Sequence, residues 1–333
     1  MLTQEDIAQA VGLSRMTIYR YLTGKSVTQK TRDKIERFIN NRGYRPNLTA
    51  RGLVLKQTKL IGLLVPSVSY SYYPEVVEAL QKEIRTRGYN ILLCVSNEDP
   101  EQEREELDLL LSIPVDGIII SPTSKSQSEA NCKLLEKEKP PFVMFDRYFT
   151  NVNASYVTTN SYAASKKLVQ HLIDMGHRSI AHIGGPRSNV FAEGILQGYR
   201  RALQKNKIAV DEDLIASVAM DGSDCIPAFQ KILQQKKRPT AVQAVNDPVA
   251  IEILKAANKM AIRVPEDLAV IGFSDSRLAE MLAVPLTTVR EPTKIMAAEA
   301  VNILVDQIET KSKKKIIKSL PGKIILRRSC GAE

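Results

Sequence analysis

Residues 3–24 read TQEDIAQAVGLSRMTIYRYLTG, and this stretch predicts two short helices joined by a tight turn. Thr3 and Ser14 are residue types that cap helix N-termini, and apolar residues recur at helical spacing after each of them. Gly12 lies between the two segments, where the turn favours a residue without a side chain. Gly24 is suited to the left-handed conformation that ends the second helix.

A third helix is predicted to begin at Thr28 and to end at Gly43. Its inner face would carry four residues at helical spacing: Thr31, Ile35, Phe38 and Ile39. Two short helices with a glycine-containing turn, followed by a third helix, form a helix-turn-helix unit. In that unit the second helix enters the major groove of DNA.

Several side chains of this unit are candidates for contacts with DNA. Those expected to reach base edges are Arg15, Met16, Tyr19 and Arg20. Arginine can form a bidentate pair with guanine, which discriminates between bases. Those expected to contact phosphates or to support such contacts are Thr17, Lys25, Thr28, Lys30 and Arg32. The alternative is a protein-binding three-helix bundle with a solvated basic face.

The charge distribution favours a polyanionic partner for the N-terminal region. Residues 1–59 hold 12 Lys and Arg against 4 Asp and Glu, whereas residues 60–333 hold 35 against 33. A strongly basic head on a nearly neutral body is typical of a nucleic-acid-binding module joined to another domain. A second basic run, Lys311–Lys315, is read as solvated surface, with nonspecific DNA contact as the alternative.

The composition places the chain among ordinary globular proteins. It has 333 residues, of which 44% are hydrophobic and 25% charged, so two or three domains are expected. No apolar run is long enough for a membrane span, and no secretory signal is recognised, which predicts a cytoplasmic protein without a membrane partner. The four scattered cysteines are expected to be reduced thiols.

From residue 60 onward, short apolar runs alternate with amphipathic stretches, which is typical of a parallel α/β fold. The predicted strands are 60–65, 90–95, 117–121, 142–145, 180–183, 241–245, 269–273 and 324–327. The predicted helices include 75–87, 102–112, 162–175, 195–206 and 248–260. About 270 residues suit two such lobes better than one. A ligand is then expected in the cleft between the lobes, at the carboxyl ends of the strands.

The segment 43–53 reads GYRPNLTARGL, and with the motifs of residues 6–24 it resembles the lactose-repressor/galactose-repressor (LacI/GalR) family of bacterial transcription regulators. The resemblance continues through the whole chain. The body motifs that carry it include Val115-Asp116-Gly117, Phe145-Asp146-Arg147, Gly198-Tyr199, Asn246-Asp247 and Val270-Ile271-Gly272-Phe273.

The resemblance implies an N-terminal all-α helix-turn-helix head and a two-lobed, periplasmic-binding-protein-like body with parallel sheets. The expected domains are 1–46 for the head, 47–59 for a hinge helix and linker, and 60–333 for effector binding and dimerisation. Lobe one would comprise about 60–157 and 290–318, and lobe two about 158–289 and 319–333. The three connections between lobes would fall near 150–158, 288–291 and 318–321.

The family also implies that the hinge becomes helical only on operator DNA, where Leu53 wedges into the minor groove. Asn47, Ala50 and Arg51 are the other expected hinge contacts with DNA. Nine residues form a marginal helix alone, and an inserted apolar wedge bends DNA onto more protein surface. The alternative for Leu53 is a linker residue that packs on the body.

The candidate ligand-binding residues follow from the cleft position and the resemblance. They are Ser69, Tyr72, Tyr73, Asp146, Arg147, Ile195, Met220, Asn246, Asp247, Ser274, Asp275 and Glu291. Each tyrosine would stack on the ligand or pack beneath its loop, and Arg147 would contact the ligand or brace Asp146.

Departures from the family pattern leave both the operator and the effector open. Tyr19 replaces a usual small serine and Tyr21 a usual core valine, so no operator sequence is transferred. Ile195 replaces a frequent arginine, and Glu291 replaces a frequent glutamine. A sugar effector is expected, with a non-sugar ligand or a protein corepressor as alternatives.

The sequence therefore predicts a sequence-specific DNA-binding regulator, a repressor, that binds a near-palindromic operator as a homodimer. No catalytic motif, cofactor or metal site is recognised, and the chain is not expected to be an enzyme. Alternatives from another class are a solute-binding protein and a sugar-acting enzyme. No leucine heptads after the last predicted strand support a tetramer.

Overall fold

The computed structural model describes residues 3–22, 26–42, 57–69, 72–123, 127–138 and 140–332. The described residues form a helical head and a body of two lobes. The head contains α1 (Gln4–Ala10), α2 (Arg15–Leu22) and α3 (Gln29–Arg42). This arrangement of elements confirms the predicted α/β class with an all-α N-terminal head.

The head is held together by a small apolar core and by capping side chains. Ile7, Ile18 and Ile35, one from each helix, are fully buried together. Thr3 and Asp6 form a reciprocal capping box at the start of α1. These features are those that the helical spacing and the cap residues predict.

The strands of the described body are β1 (Leu60–Val65), β2 (Asn90–Val95), β3 (Gly117–Ile120), β4 (Phe142–Phe145), β5 (Ser155–Thr159), β6 (Ile180–Gly184), β7 (Ile215–Ser217), β8 (Ala241–Ala244), β9 (Ala269–Ile271), β10 (Thr288–Arg290), β11 (Ile317–Leu320) and β12 (Lys323–Ile325). The helices are α4 (Tyr72–Thr86), α5 (Pro100–Ser112), α6 (Gln127–Lys137), α7 (Ser161–Asp174), α8 (Val190–Lys205), α9 (Cys225–Leu233), α10 (Asp247–Lys259) and α11 (Thr293–Thr310). Two 3₁₀ helices span Glu212–Leu214 and Arg328–Cys330.

Lobe one is built on a six-stranded parallel sheet in the order β11-β5-β4-β3-β1-β2. Helices α4 and α11 cover one face, and α5 and α6 cover the other. Side chains alternate along a strand, so the neighbouring residues Leu63 and Leu64 of β1 enter opposite cores. Burial on both faces explains why these strands read as continuous apolar runs.

Lobe two is built on a four-stranded parallel sheet in the order β7-β6-β8-β9, packed against α7 to α10. Helices α7 and α8 approach closely because α8 carries a glycine at the contact. A Cβ on Gly198 would lie 2.5 Å from the carbonyl oxygen of Tyr162 and 2.9 Å from the backbone nitrogen of Lys166. The following Tyr199 donates a hydrogen bond to the carbonyl of Ile180 at 2.8 Å, which ties α8 to β6.

The connections between the lobes differ in detail from the expected boundaries. The segment expected near 150–158 contains most of β5, so the chain leaves the first sheet only after residue 159. The segment expected near 318–321 contains most of β11, an edge strand of the same sheet. The strand β10 pairs antiparallel with β12, and these strands join the two lobes. Both β5 and β11 carry polar residues, which hides them from a search for apolar runs.

Candidate DNA-binding face and interlobe site

The second helix of the head presents the predicted base-reading side chains on its outer side. Arg15 and Arg20 are exposed, and Met16 has 64% of its surface exposed. Tyr19 is half-buried. The fold therefore leaves the N-terminal part of α2 available to enter a DNA groove.

Several predicted phosphate contacts also take part in the structure of the head. The backbone N–H of Thr17 donates to the Ser14 hydroxyl at 3.1 Å, and the two hydroxyls lie 2.8 Å apart. Thr28 likewise accepts from the backbone N–H of Thr31 at 3.3 Å. Ser14 and Thr28 thus act at the starts of α2 and α3, the positions expected of N-caps.

Tyr21 and Arg32 form a small cluster at the rim of the head. The Tyr21 hydroxyl donates to Glu36 at 3.1 Å, while its ring packs against the head core. The Arg32 guanidinium lies 5.7 Å from the centre of that ring and 3.8 Å from the Glu36 carboxylate. Arg32 nevertheless stays exposed, as does Lys30.

The remaining predicted DNA contacts, Lys25, Asn47, Ala50, Arg51 and Leu53, lie outside the described residues. Their roles stay predictions.

A cavity between the two lobes contains most of the predicted ligand-binding residues. It is lined by Tyr72, Tyr73, Asp146, Arg147, Phe191, Met220, Asn246, Pro248, Ser274 and Glu291. Its volume is about 40 Å³, so it is too small for a sugar in this arrangement of the lobes. Eight of these ten residues were predicted from the sequence, and Phe191 and Pro248 were not. Pro248 directly follows the Asn246-Asp247 motif, which is the signal that could have found it.

Asp146 is the buried acid at the end of β4. Its φ of 66° lies in the left-handed region, which is strained for a residue with a side chain and recurs at functional sites. Its carboxylate accepts a hydrogen bond from the Tyr73 hydroxyl at 3.0 Å. Burial raises the pKa of Asp146 to about 6, against the lowering effect of Arg147.

Arg147 forms an ion pair with Glu98 and does not brace Asp146 through a hydrogen bond. Its two terminal nitrogens donate to the two Glu98 oxygens at 3.0 and 2.8 Å. One of them also donates to the carbonyl of Pro122 at 3.3 Å. Glu98 therefore neutralises the charge of Arg147 at the wall of the cavity.

Glu291 and Tyr72 bring buried polar atoms to the cavity whose hydrogen bonding is incomplete. Glu291 is 5% exposed. Within the described part of the chain, neither of its carboxyl oxygens nor the Tyr72 hydroxyl has a partner in good hydrogen-bond geometry, although the side chains of Thr159 and Ser274 lie close enough to favour the ionised form of Glu291. Burial, followed by the negative charge of Asp146, raises the pKa of Glu291 to about 8. This shift favours the protonated form of Glu291.

Asn246 and Met220 join the loops of lobe two at the cavity. The Asn246 side chain accepts from the backbone N–H of Val249 at 3.0 Å, which caps α10. Its amide nitrogen donates to the carbonyl of Met220 at 2.7 Å. Asn246 therefore supports the shape of the wall as well as lining it.

Four predicted ligand residues lie elsewhere. Ser69 is exposed, and Ile195 is fully buried in the core of lobe two. Asp247 is fully buried and accepts hydrogen bonds from the Thr288 hydroxyl and the Ser276 backbone N–H, both at 2.7 Å.

Asp275, the last of the four, pairs with two arginines of the connecting segments. The distances are 2.5 Å to Arg290 and 2.7 Å to Arg327. Asp247 and Asp275 thus fasten the lobe-two loops to the connections between the lobes. Helix α8 begins at Val190, so its first turn brings Phe191 to the cavity. Ile195 lies one turn further along the helix, in the core of lobe two and not at the cavity as expected.

An exposed ion-pair cluster joins the lobes at the mouth of the cleft. Arg277 of lobe two lies 3.5 Å from Glu75 and 3.2 Å from Glu78, both on α4 of lobe one. Arg277 has 72% of its side chain exposed, so water and salt screen these contacts. The cluster is a weak contact between the closed lobes.

A helix-turn-helix head on a two-lobed body with an interlobe cavity defines the class of ligand-responsive DNA-binding transcription regulators. A family model described as "Bacterial regulatory proteins, lacI family" matches residues 3–47. A model described as "Periplasmic binding protein-like domain" matches residues 169–330. With relatives at 30% identity over nearly their whole length, the chain belongs to the LacI family of bacterial regulatory proteins.

Named relatives are similar along the whole chain. The ribose operon repressor of Haemophilus influenzae is 30% identical, over 99% of this chain and 98% of its own. The transcriptional repressor PurR of Histophilus somni is 29% identical, over 99% of both chains. The family membership makes this protein a DNA-binding transcriptional regulator with an effector-binding body.

Solved structures share the fold. The complex of the transcriptional regulator CelR with cellobiose is 28% identical, with a TM-score of 0.73 over 99% of this chain and 100% of that one. The lac repressor dimer bound to operator and the anti-inducer ONPF is 24% identical, with a TM-score of 0.87 over 99% of both chains. Within the described residues, no helix is long and apolar enough to cross a membrane.

Proposed function

We propose that this protein is a repressor that binds a near-palindromic operator as a homodimer and responds to a small molecule in the interlobe cavity. The observation that carries the proposal is the combination of two sites in one chain. The head leaves Arg15, Met16 and Arg20 exposed on α2, and the body holds a cavity between its two lobes that polar and charged side chains line.

The homodimer follows from the size of the head. Three short helices offer few contacts to DNA, whereas two heads related by a two-fold axis double them on a palindromic site. Basic residues supply the affinity for phosphates, and the side chains at the start of α2 supply the sequence preference. In this proposal Asn47, Ala50, Arg51 and Leu53 act in the hinge, with Leu53 as the wedge in the minor groove.

A small polyhydroxylated molecule is the proposed type of effector. The relatives named above include a ribose operon repressor and a regulator in complex with cellobiose. The cavity offers hydrogen-bonding groups from both lobes, among them Asp146 from lobe one and Asn246 from lobe two. A ligand that contacts both groups changes the relative stability of the open and closed arrangements.

The response of DNA binding follows from the connection between body and head. Closure of the lobes moves lobe two, with the connecting strands β10 and β12, relative to lobe one, where the body begins after the hinge. A shift in that equilibrium changes the spacing of the two heads and the stability of the hinge helices. The cavity needs only to bind its ligand for this role, and we propose no catalytic step.

Selection from random duplex DNA with the purified full-length protein tests the proposal. Enrichment of a near-palindromic sequence is the expected result. Enrichment of a single asymmetric half-site would contradict the dimer, and no enrichment with or without candidate effectors would contradict the repressor assignment. If enrichment appears only after a second protein is added, the small-molecule effector is replaced by a protein corepressor.

A further inference from the structure

The cavity between the lobes has more acidic than basic side chains. Three charged residues line it: Asp146, Arg147 and Glu291. Arg147 is already matched by the bidentate contact with Glu98. Two carboxyl groups therefore remain at the cavity, and among the described residues that line it no second cation faces them. A phosphate or carboxylate ligand would meet two acids and an arginine whose charge is already neutralised.

The unsatisfied polar atoms lie on the same side of the cavity as these acids. Both carboxyl oxygens of Glu291 and the hydroxyl of Tyr72 are buried without a partner in good hydrogen-bond geometry among the described residues, and the side chains of Thr159 and Ser274 are the polar groups closest to pairing with Glu291. Buried polar groups in folded proteins are nearly always paired, and an exception calls for a missing partner. Once Glu291 is ionised, its carboxylate accepts hydrogen bonds only, so a ligand that donates, and above all a cationic donor, completes it.

The acidic side of the cavity persists when the lobes separate. Asp146 follows β4, Tyr72 begins α4 and Glu291 precedes α11, and all three elements belong to lobe one. The present volume of about 40 Å³ is far below the roughly 300 Å³ or more of typical small-molecule sites. A ligand of sugar size therefore enters an open form, in which it still meets this same acidic group of residues.

Apolar side chains of lobe two lie on the other side of the cavity. Phe191 and Met220 line it there, opposite the carboxyl groups of lobe one. An apolar wall packs against the less polar face of a sugar ring. The two sides together suit a compact ligand that is cationic on one side and apolar on the other.

We propose that the ligand of the interlobe cavity is an amine-bearing polyol, of which an amino sugar is the simplest form, with its ammonium group bound by Glu291 and its hydroxyls by Asp146 and Tyr72. This inference rests on the proposed function and refines its effector class. Binding an ammonium favours the ionised form of Glu291, so the complex releases a proton that a neutral sugar would not displace.

Calorimetry and thermal unfolding of the full-length protein test the ligand class with matched probes. The probes are glucosamine, galactosamine and mannosamine, each compared with its parent hexose and its N-acetyl derivative, together with glucose 6-phosphate as the anion. At least one hexosamine is expected to bind and to raise the Tm, with proton release seen as a heat that depends on the buffer. Its parent hexose, its N-acetyl form and the phosphate are expected to bind at least tenfold more weakly.

Variants separate a specific ammonium site from a general effect of the amine. Glu291→Gln keeps the size of the side chain and is expected to lower hexosamine affinity about tenfold or more and to abolish proton release. Tyr72→Phe is expected to weaken binding less and to keep proton release. The matched control is Glu309→Gln, at an exposed position on α11, which should leave both unchanged.

Three results would overturn the inference: equal binding of a parent hexose, binding of the phosphate, or no binding by any hexosamine. The selection of random DNA on the same preparation distinguishes this failure from failure of the proposed function. An enriched palindrome without hexosamine binding overturns the ligand class alone. Hexosamine binding without DNA enrichment, with ligand present or absent, overturns the repressor assignment alone.

Discussion

The carboxylate of Asp116 accepts two hydrogen bonds from Thr58, one from its backbone N–H at 2.8 Å and one from its hydroxyl at 2.9 Å. Its other oxygen accepts from the backbone N–H of Lys59 at 2.8 Å. Thr58 lies at the end of the segment expected as hinge, and Asp116 directly precedes β3 in lobe one. This contact therefore fastens the chain to lobe one just where the hinge meets the body.

Replacing Asp116 with alanine is expected to destabilise the body and to loosen the root of the hinge. Hydrogen bonds to a charged acceptor contribute about 1.5–3 kcal/mol each in favourable cases, and the loss here should be about 1–3 kcal/mol. Urea unfolding followed by circular dichroism measures it. The selected operator should also be bound more weakly by Asp116→Ala at a temperature where the variant is fully folded.

Asp108→Ala is the matched control, since Asp108 is exposed and pairs with Arg104 one turn away. Its unfolding free energy should change by less than about 0.5 kcal/mol. Unchanged operator affinity in folded Asp116→Ala would contradict a role of this anchor in DNA binding.

The Arg277 cluster makes a separate prediction about lobe closure. Exposed ion pairs contribute about 0–1 kcal/mol, so Arg277→Ala should hardly change the free energy of unfolding. A regulator that responds to a ligand must have open and closed forms of nearly equal free energy. The small contribution of the Arg277 ion pairs is therefore large enough to shift the balance between these two forms. We therefore expect Arg277→Ala, or added salt, to shift the population towards the open form.

Energy transfer between dyes on opposite lobes measures this shift. Lys82→Cys and Met281→Cys place labels at exposed positions, and the four native cysteines are buried. Arg263→Ala serves as the control, because Arg263 is equally exposed but pairs with Asp267 within lobe two. If Arg277→Ala and Arg263→Ala both give the transfer efficiency of the labelled protein without either substitution, the Arg277 cluster does not affect closure of the lobes.

The sequence predicts which residues line the cavity when their place at the end of a strand is enough to bring them there. Asp146 and Asn246 follow β4 and β8, and the carboxyl ends of parallel strands meet at one edge of each sheet. Their approach to the cavity therefore needs no knowledge of distant contacts. The same reasoning finds the head, since the cap residues and apolar spacing of residues 3–22 are local features.

The sequence fails where a partner from a distant segment decides a side chain's role. Asp247 and Asp275 have the same chemistry as Asp146, but Thr288 and Arg327 engage them away from the cavity. Nothing local shows those contacts. Strand β11 was missed for a related reason: Lys318 and Ser319 interrupt its apolar pattern, and only pairing with β5 makes it a strand.

The raised pKa of Glu291 predicts how stability depends on pH. Because its pKa rises from 4.5 to about 8 on folding, the folded protein keeps a proton that the unfolded chain loses above about pH 4.5. The stability associated with this proton is full below pH 4.5 and is lost as the pH rises through about 8. Burial of Asp146 and Asp247, whose pKa values rise to about 6 and 7, acts in the same direction.

Urea unfolding between pH 5 and 9 isolates the share of Glu291. The difference in unfolding free energy between Glu291→Gln and the unaltered protein should grow with pH, in favour of the glutamine variant, by about 1 kcal/mol or more. Glu309→Gln should show a constant difference, because Glu309 is exposed. A constant difference for Glu291→Gln as well would mean that Glu291 is ionised throughout this range.

Arg20 makes the last prediction, which concerns sequence reading by the head. It is exposed on α2, where a guanidinium can form a bidentate pair with guanine. Arg20→Ala should then lose about 1–3 kcal/mol on the selected operator and far less on random duplex DNA. Lys30→Ala supplies the contrast, since the loss of a phosphate contact weakens binding equally on both DNAs. It should also reduce the slope of log affinity against log salt concentration by about one. Fluorescence anisotropy at several salt concentrations measures both variants on both DNAs. Equal losses for Arg20→Ala would place its guanidinium on a phosphate, and base reading would then rest on Arg15, Met16 and Tyr19.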